Sequence, residues 1–511
     1  MNAHVLSISE TGHAKGTLID VECQITNGLP NIVVVGFASK AVDEAKERIR
    51  GAFSNSKLLL PKKRITLNLA PADVPKDSTA LDIPMATAIM LAGGLLSQSP
   101  AENTILMGEL ALDGRVRPIR GVIGKILAAK QHGIHTFFLP AKNIDQAQLV
   151  PDITIFPVDT LVHIYRHFNG SDTIVPLATN RGIFPKLALS GYQKSDNSLD
   201  DVIGQERAKR AITIAASGGH NILFSGPPGT GKSMLAKAVT EILPALNHEE
   251  ILEVTQLHSL ATNQYDQIIT DRPFRSPHHT ASNTAIIGGG HRLKPGEISL
   301  SHRGVLFLDE FPEFHRDTIE ALRQPLEDHH VNISRAKESV EFPADFILVA
   351  TANPCPCGYY GTKKICNCLP HAIAHYQRKL SGPIIDRIDL YVTVDEVDHK
   401  NLLGSTNPSS QYSSDFIRDS VFHARKKQQQ RYTDRRLNAD LNNQLIKQSG
   451  RLTPAAKALL DQAASNLDIS ARSYMRAIKV ARTIADLDQS ETIEPHHISE
   501  ALTYRRQEQP L

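Results

Sequence analysis

Tryptophan is absent from the 511 residues, and aromatic residues make up only 5% of them. A chain so poor in flat side chains is not built to hold single strands mainly by stacking their bases. Charge of one sign is also missing: Lys+Arg number 56 and Asp+Glu 54, a formal net charge of +2. Without a basic coat, any contact with nucleic acid has to come from local patches. Long apolar runs are lacking too. The longest, Ala86 to Leu96, is broken by Thr87 and the Gly93-Gly94 pair and is too short for a bilayer span, and Met1 to Gly16 has no basic flank followed by an apolar stretch. These features predict a cytoplasmic protein with no membrane association. Cysteine is scarce, five in all, yet four lie between positions 355 and 368. In a reducing compartment that bunching favours a metal over disulfides.

What remains is a globular composition, 41% hydrophobic and 22% charged, long enough for about two to five domains. Two polar, turn-rich stretches, Ser190 to Asp201 and Gly404 to Asp415, read as linkers or exposed loops. They predict a domain over 1–185, a linker over 186–200, an α/β core over 201–400, a linker over 401–415 and a helical domain over 416–511. In the first, Ile32 to Val35 is β-branched, Ser39 to Phe53 has helical spacing and Arg64 to Leu69 alternates like a half-buried strand, an α/β or α+β pattern. The core alternates apolar strands (Asn221 to Phe224, Val305 to Leu308, Phe346 to Ala350) with helical stretches, the pattern of a parallel sheet covered on both faces. The last part is helical throughout, with Thr453-Pro454 as a helix start, and from residue 421 onward carries 15 Lys+Arg against 10 Asp+Glu.

The chemistry is concentrated in the core. Gly226-Pro227-Pro228-Gly229-Thr230-Gly231-Lys232-Ser233 follows an apolar strand and opens a helix. This is the setting in which backbone N–H groups cradle phosphates, with Lys232 reaching the β/γ-phosphates and Ser233 offering a hydroxyl to Mg²⁺. Val305 to Glu310 is a second apolar strand ending in two carboxylates. Asp309 is suited to hold Mg²⁺ and Glu310 to polarise the attacking water. A third strand leads to Asn353, an uncharged amide able to hydrogen-bond water or the γ-phosphate. Cys355, Cys357, Cys366 and Cys368 form two C-x-C pairs that can give four thiolates to a tetrahedral Zn²⁺, with His371 and His375 as substitute donors; reduced thiols or an oxidation-sensitive loop are the alternative. Cys23, alone on a strand, reads as packing. Two surplus stretches carry basic residues: Leu257 to Leu300, with Arg272, Arg275, Arg292 and Lys294, and the hairpin-like Val331 to Phe342, with Arg335 and Lys337. Each is a candidate grip on a phosphodiester backbone or simply a solvated loop.

These motifs resemble the AAA+ P-loop ATPases, and specifically their magnesium-chelatase-like branch. On that resemblance Val202 and Ile203 lie against adenine, Asn353 is a first sensor, Arg387 in SGPIIDRIDL is an arginine finger acting on the neighbouring subunit, and Arg472, with Arg476 as alternate, is a second sensor. From the residues alone, Arg387 reads as an ion pair with Asp386 or Asp389. The same resemblance sends both basic insertions toward a ring pore. Gly108 to Asn143 and Pro75 to Asp82 resemble the proteolytic domain of Lon, but the serine position falls on Ala80 and the lysine position on Ile123, neither of which can do that chemistry.

Together the two resemblances are similar to the arrangement of the ComM/YifB family, competence-associated proteins. Membership implies a homohexamer that uses ATP and Mg²⁺ to move on single-stranded, forked or branched DNA and drive branch migration in natural transformation, with recombination proteins as further partners. A chelatase-type motor on a non-DNA partner and an ATP-dependent protease are the competing expectations.

Overall fold

The computed structural model describes residues 2–10, 16–36, 40–72, 76, 79–179, 199–261, 267–290, 293–334, 339–362, 364–379, 384–396, 413–432 and 436–506. It divides into two compact units that are not colinear with the chain. The first comprises Met1–Gly191, Asn247–Thr270 and Ser334–Phe342; the second comprises Tyr192–Leu246, Asp271–Ile333 and Pro343–Leu511. Most of both sequence-predicted linkers lies outside the described residues. No described helix is long and apolar enough to cross a membrane.

The first unit is α+β. Its strands are β1 (Asn2–Glu10), β2 (Gly16–Thr26), β3 (Asn31–Val35), β4 (Arg64–Ala70), β5 (Thr104–Leu106), β6 (Glu109–Leu110), β7 (Val116–Arg117), β8 (Thr136–Pro140), β9 (Thr154–Val158) and β10 (Leu177–Ala178). Eight of them form one mixed sheet in the order β10-β9-β8-β5-β1-β2-β4-β3, while β6 and β7 pair separately. Burial along β4 alternates as its sequence does. The helix Asp82–Ala92 accounts for the apolar run noted above. Every residue from Asp82 to Met90 is buried, so the stretch is a core helix wrapped by protein. Its single charge is neutralised in place: Arg48 donates to Asp82 through Nε (2.7 Å) and Nη2 (3.0 Å), and the Leu110 N–H donates to the same carboxylate. Ala80 and Ile123 are both buried. The nearby Lys125 Nζ donates to the Arg120 carbonyl at 2.8 Å and Lys76 Nζ to the Pro71 carbonyl. Ser78 lies outside the described residues. The helix His248–Ala261, although it follows the phosphate motif in sequence, belongs to this unit.

The second unit is built on β11 (Ile222–Ser225), β12 (Phe274–Arg275), β15 (Val305–Leu308), β18 (Ile347–Ala352) and β19 (Leu390–Thr393), an all-parallel sheet in the order β12-β15-β18-β11-β19. Minor strands β13 (Gly288–Gly289) and β14 (Lys294–Pro295) pair with each other, and β16 (His330–Ser334) and β17 (Ser339–Pro343) flank the undescribed residues 335–338. Both sheet faces are covered. Val305, Phe307, Ile347 and Val349 enter one core, and Leu306, Leu308, Leu348 and Ala350 the other, which is why these strands read as unbroken apolar runs.

The C-terminal part is helical: Ser414–Arg431, Asn443–Ser449, Pro454–Asn466, Ala471–Leu487 and Pro495–Thr503. Thr453 caps its helix as its sequence suggests, its hydroxyl accepting from the Ala456 N–H. Asp486, fully buried, accepts from Arg431, from the buried Arg482 (3.1 Å) and from Asn438 Nδ2 (2.9 Å). Asp486→Ala would leave two guanidiniums without their shared counter-charge. Removing one partner of a buried ionic group costs about 3–5 kcal/mol. We expect chemical denaturation to show a loss of that size; a midpoint within experimental error of the parent would refute the role assigned to the triad.

Candidate nucleotide-binding site

Three neighbouring strands of the parallel sheet end where the sequence motifs begin. β11 runs into the phosphate loop, β15 into Asp309 and Glu310, and β18 into Asn353. The carboxyl edge of a parallel sheet is where ligands bind in such folds. Gly229 and Gly231 hold φ of +81° and +84°, and a β-carbon at either would meet no heavy atom within 4 Å. The loop therefore turns as only glycine does cheaply, and it faces open space with room for phosphate oxygens at the start of the helix Lys232–Ile242. Lys232 Nζ donates to the carbonyls of Gly226 and Pro227, both at 2.7 Å, and to Asn353 Oδ1 at 3.3 Å. Burial pulls this ammonium below its ordinary pKa, while the facing charges of Asp309 and Glu310 act the other way.

Ser233 Oγ donates to Asp309 Oδ2 at 3.4 Å, so hydroxyl and carboxylate already face one another as two ligands of a hard cation do. Thr351, which the sequence did not single out, joins the acidic pair: its hydroxyl donates to Asp309 Oδ1 and accepts from the Glu310 N–H at 3.0 Å. Glu310 sits at φ +52°, a left-handed conformation costing a non-glycine residue about 1–3 kcal/mol and kept where the surroundings impose it. Its side chain is half exposed, with His279 Nδ1 3.8 Å from Oε2. Donors, acceptors and open cradle fit a nucleoside triphosphate with Mg²⁺.

Val202 is buried in the core and Ile203 half-buried beside it. Arg387 is only 14% exposed and its guanidinium is paired with Glu327, not with Asp386 or Asp389. Those two carboxylates have other partners. Asp386 accepts from Arg472 at 3.3 Å, and Asp389 lies 2.7 Å from His220 Nδ1. Burial would raise the Asp389 carboxyl, but His220, Arg476 and Lys479 hold it below its ordinary range. Arg472 is exposed, whereas Arg476 is largely buried and donates to the Ile388 carbonyl at 2.6 Å.

The basic candidates separate into three groups. Arg272 donates to the carbonyls of Pro244 and Arg303, and Arg275 makes a two-pronged pair with Glu297. Lys294 lies half-buried on β14. Arg292, Arg335 and Lys337 lie outside the described residues. The four clustered cysteines come together: Sγ separations are 3.4 Å (Cys355–Cys357), 3.7 Å (Cys355–Cys366) and 3.5 Å (Cys357–Cys366), and all four ligand atoms fall within 4.8 Å of one another with no disulfide. Four thiolates around zinc at Zn–S of about 2.3 Å have edges of about 3.8 Å, so this donor set fits the ion. Cys23 is buried on β2, as expected of a packing residue.

Comparison with known proteins agrees with this architecture. Residues 198–402 match the family described as magnesium chelatase, subunit ChlI; residues 21–143 match subunit ChlI of Mg-chelatase; residues 411–505 match the C-terminal part of that subunit. Competence protein ComM of Haemophilus influenzae is 42% identical over 490 residues, 96% of this chain and 94% of that protein. The YifB protein of Escherichia coli is 39% identical over 504 residues, 98% of this chain and 97% of its own length. A Lon protease of Chloroflexus aurantiacus is 32% identical over 158 residues, 29% of this chain and 19% of that protein.

Proposed function

Because the chain belongs to the ComM/YifB family of magnesium-chelatase-like AAA+ ATPases, we propose that it is a ring-forming, ATP-driven motor on single-stranded, forked or branched DNA, acting in branch migration when transforming DNA is integrated. The observation carrying the nucleotide chemistry is the meeting of Lys232, Ser233, Asp309 and Asn353 at one edge of the parallel sheet. Lys232 neutralises the terminal phosphates, Asn353 orients the lysine and the water, and Glu310 takes the proton of the attacking water as its oxygen bonds the γ-phosphorus and the bond to the leaving nucleoside diphosphate breaks. Ser233 and Asp309 would hold Mg²⁺, which would supply neutralisation of the phosphate charge there. Arg387 acts on the next subunit's nucleotide in a homohexamer, exchanging Glu327 for phosphate; Arg472 serves as second sensor from the helical domain.

The DNA substrate is supported by the 42% identity with a competence protein along nearly all of both chains. Among the basic residues, Lys294 remains the described candidate for the pore, together with Arg292, Arg335 and Lys337; Arg272 and Arg275 brace the core through their internal partners. Proteolysis is disfavoured by the buried alanine and isoleucine at positions 80 and 123. A chelatase-type motor on a non-DNA partner is the second reading, favoured by that internal use of Arg272 and Arg275. The Cys355, Cys357, Cys366 and Cys368 set holds one Zn²⁺ in this proposal.

One experiment separates the readings: ATP hydrolysis with and without forked DNA, strand displacement on the same fork, and casein cleavage in parallel. Stimulation with displacement and no cleavage is the expected result. ATPase activity indifferent to every DNA form would sink the DNA assignment and leave the chelatase-type motor.

A further inference from the structure

The four-cysteine loop does more than follow the nucleotide site in sequence; it touches that site twice. It begins at Asn353, whose Oδ1 accepts from Lys232 Nζ. Two residues later Cys355 is fully buried, its sulfur accepting the Tyr360 N–H at 3.3 Å and its carbonyl accepting the Gly358 N–H at 2.9 Å. These bonds close a tight turn on which Gly358 stands at φ +84°. A β-carbon there would lie 2.7 Å from Pro228 Cδ and 3.3 Å from its Cγ. Pro228 is the middle of the phosphate loop, between Pro227, whose carbonyl receives both Lys232 and Thr230 Oγ1, and Gly229. Two further contacts meet the loop: Gln377 Nε2 donates to the Pro354 carbonyl at its start, and the exposed Lys364 lies 3.8 Å from Glu396.

We propose that the zinc-bound cysteine turn is a strut under the phosphate loop, so that Zn²⁺ at Cys355, Cys357, Cys366 and Cys368 and nucleotide at Lys232 bind cooperatively. The proposal rests on the zinc and nucleotide readings given above. The physical step is direct. Four Zn–S bonds fix the turn that places the Gly358 backbone against the Pro228 ring, and a fixed Pro228 holds the neighbouring N–H groups in the conformation that receives phosphate. Without the metal, three thiols at 3.4–3.7 Å and a fourth within 4.8 Å of them have only weak mutual contacts to hold the same turn, and the loop has to be ordered at the expense of nucleotide affinity. Coupling of this kind is typically about 5–150-fold and is reciprocal: bound nucleotide tightens zinc by the same factor.

The test uses the full chain. Zinc content is measured by mass spectrometry, and the Kd for MgADP by calorimetry, before and after zinc is stripped with 1,10-phenanthroline, which spares Mg²⁺; circular dichroism checks that the fold persists. Expected are one zinc per chain, MgADP binding at least about 5-fold weaker after stripping, recovery on adding ZnCl₂, and an equal tightening of zinc by MgADP in a chelator competition. Gly358→Ala sets a β-carbon against the Pro228 ring and strains the turn at φ +84°, so zinc is counted in the same sample: with one zinc per chain retained, MgADP weakens by at least about 5-fold, and adding Pro228→Ala recovers the part due to the ring contact. Less than about half a zinc per chain would overturn the metal assignment and the coupling with it. Full zinc, with MgADP affinity unmoved by both stripping and Gly358→Ala, would overturn the strut alone. Zinc-loaded parent protein that binds no MgADP would overturn the nucleotide site itself.

Discussion

Glu310→Gln is expected to bind ATP as the parent does and to lose hydrolysis by about 10²–10⁴-fold, the range for removing a general base. The substitution keeps the shape of the side chain and removes only its charge. Nothing that shapes the phosphate loop is touched: Lys232 keeps its two carbonyls and Asn353, and Ser233 still faces Asp309. The Glu310 backbone keeps its bond to Thr351, so the left-handed turn that aims the side chain remains. Steady-state turnover together with equilibrium ATP binding gives the answer. Unchanged turnover would move the base to another group; the lost turnover accompanied by lost binding would mean that Glu310 holds the site together instead of acting on water.

Larger still is the effect expected at Arg387. Arginine fingers contribute about 10³–10⁵ to the rate, so Arg387→Ala should leave each subunit able to bind nucleotide yet nearly unable to hydrolyse it. Lys232→Ala should be inactive for a different reason, loss of the phosphate contact in its own subunit. Mixing the two inactive variants distinguishes a finger acting between subunits from one acting within. In equal mixtures about a quarter of interfaces pair an intact Lys232 with an intact Arg387 from the neighbour, and hydrolysis should return to roughly that fraction of the parent rate. No recovery at any ratio would place the arginine's role inside its own chain, where Glu327 already meets it. Glu327, with 55% of its side chain exposed, is the solvent-facing member of that pair, so it is the group placed to give way when phosphate competes for the largely buried guanidinium.

The strand ends of the nucleotide site were legible because buried parallel strands announce themselves as apolar runs, and each of β11, β15 and β18 lies within a residue or two of the stretch its sequence marks. The phosphate loop follows from glycine spacing, and the meeting of the four cysteines from their two closely spaced pairs. Contacts closing over long sequence separations were not legible. Thr351 looked like the end of a strand, and only the sheet order, which sets β15 beside β18, makes it a partner of Asp309. Glu327 lies in a short helix whose pattern says nothing about Arg387, and Asp386 and Asp389 looked better placed until Arg472 and His220 were seen to hold them. Arg272 and Arg275 read as free positive charge for the same reason: a carbonyl or a glutamate brought in by tertiary folding leaves no mark beside them in the sequence.

The interleaving of the two units imposes an order on synthesis. The sheet of the first unit is encoded before residue 180, but the helix His248–Ala261, with Ile251, Val254 and Leu257 buried, and the strand segment ending at Phe342 arrive only after the phosphate loop has been made. A ribosome must therefore finish about two-thirds of the message before the amino-terminal unit possesses all its parts, and the nascent chain carries that unit incomplete while the ATPase sheet is still emerging. For the same reason a shortened gene stopping at Gly191 specifies a body missing a helix, and its complement exports that helix with an oily face uncovered. Exchanging the amino-terminal unit between relatives calls for three grafts, not one cut.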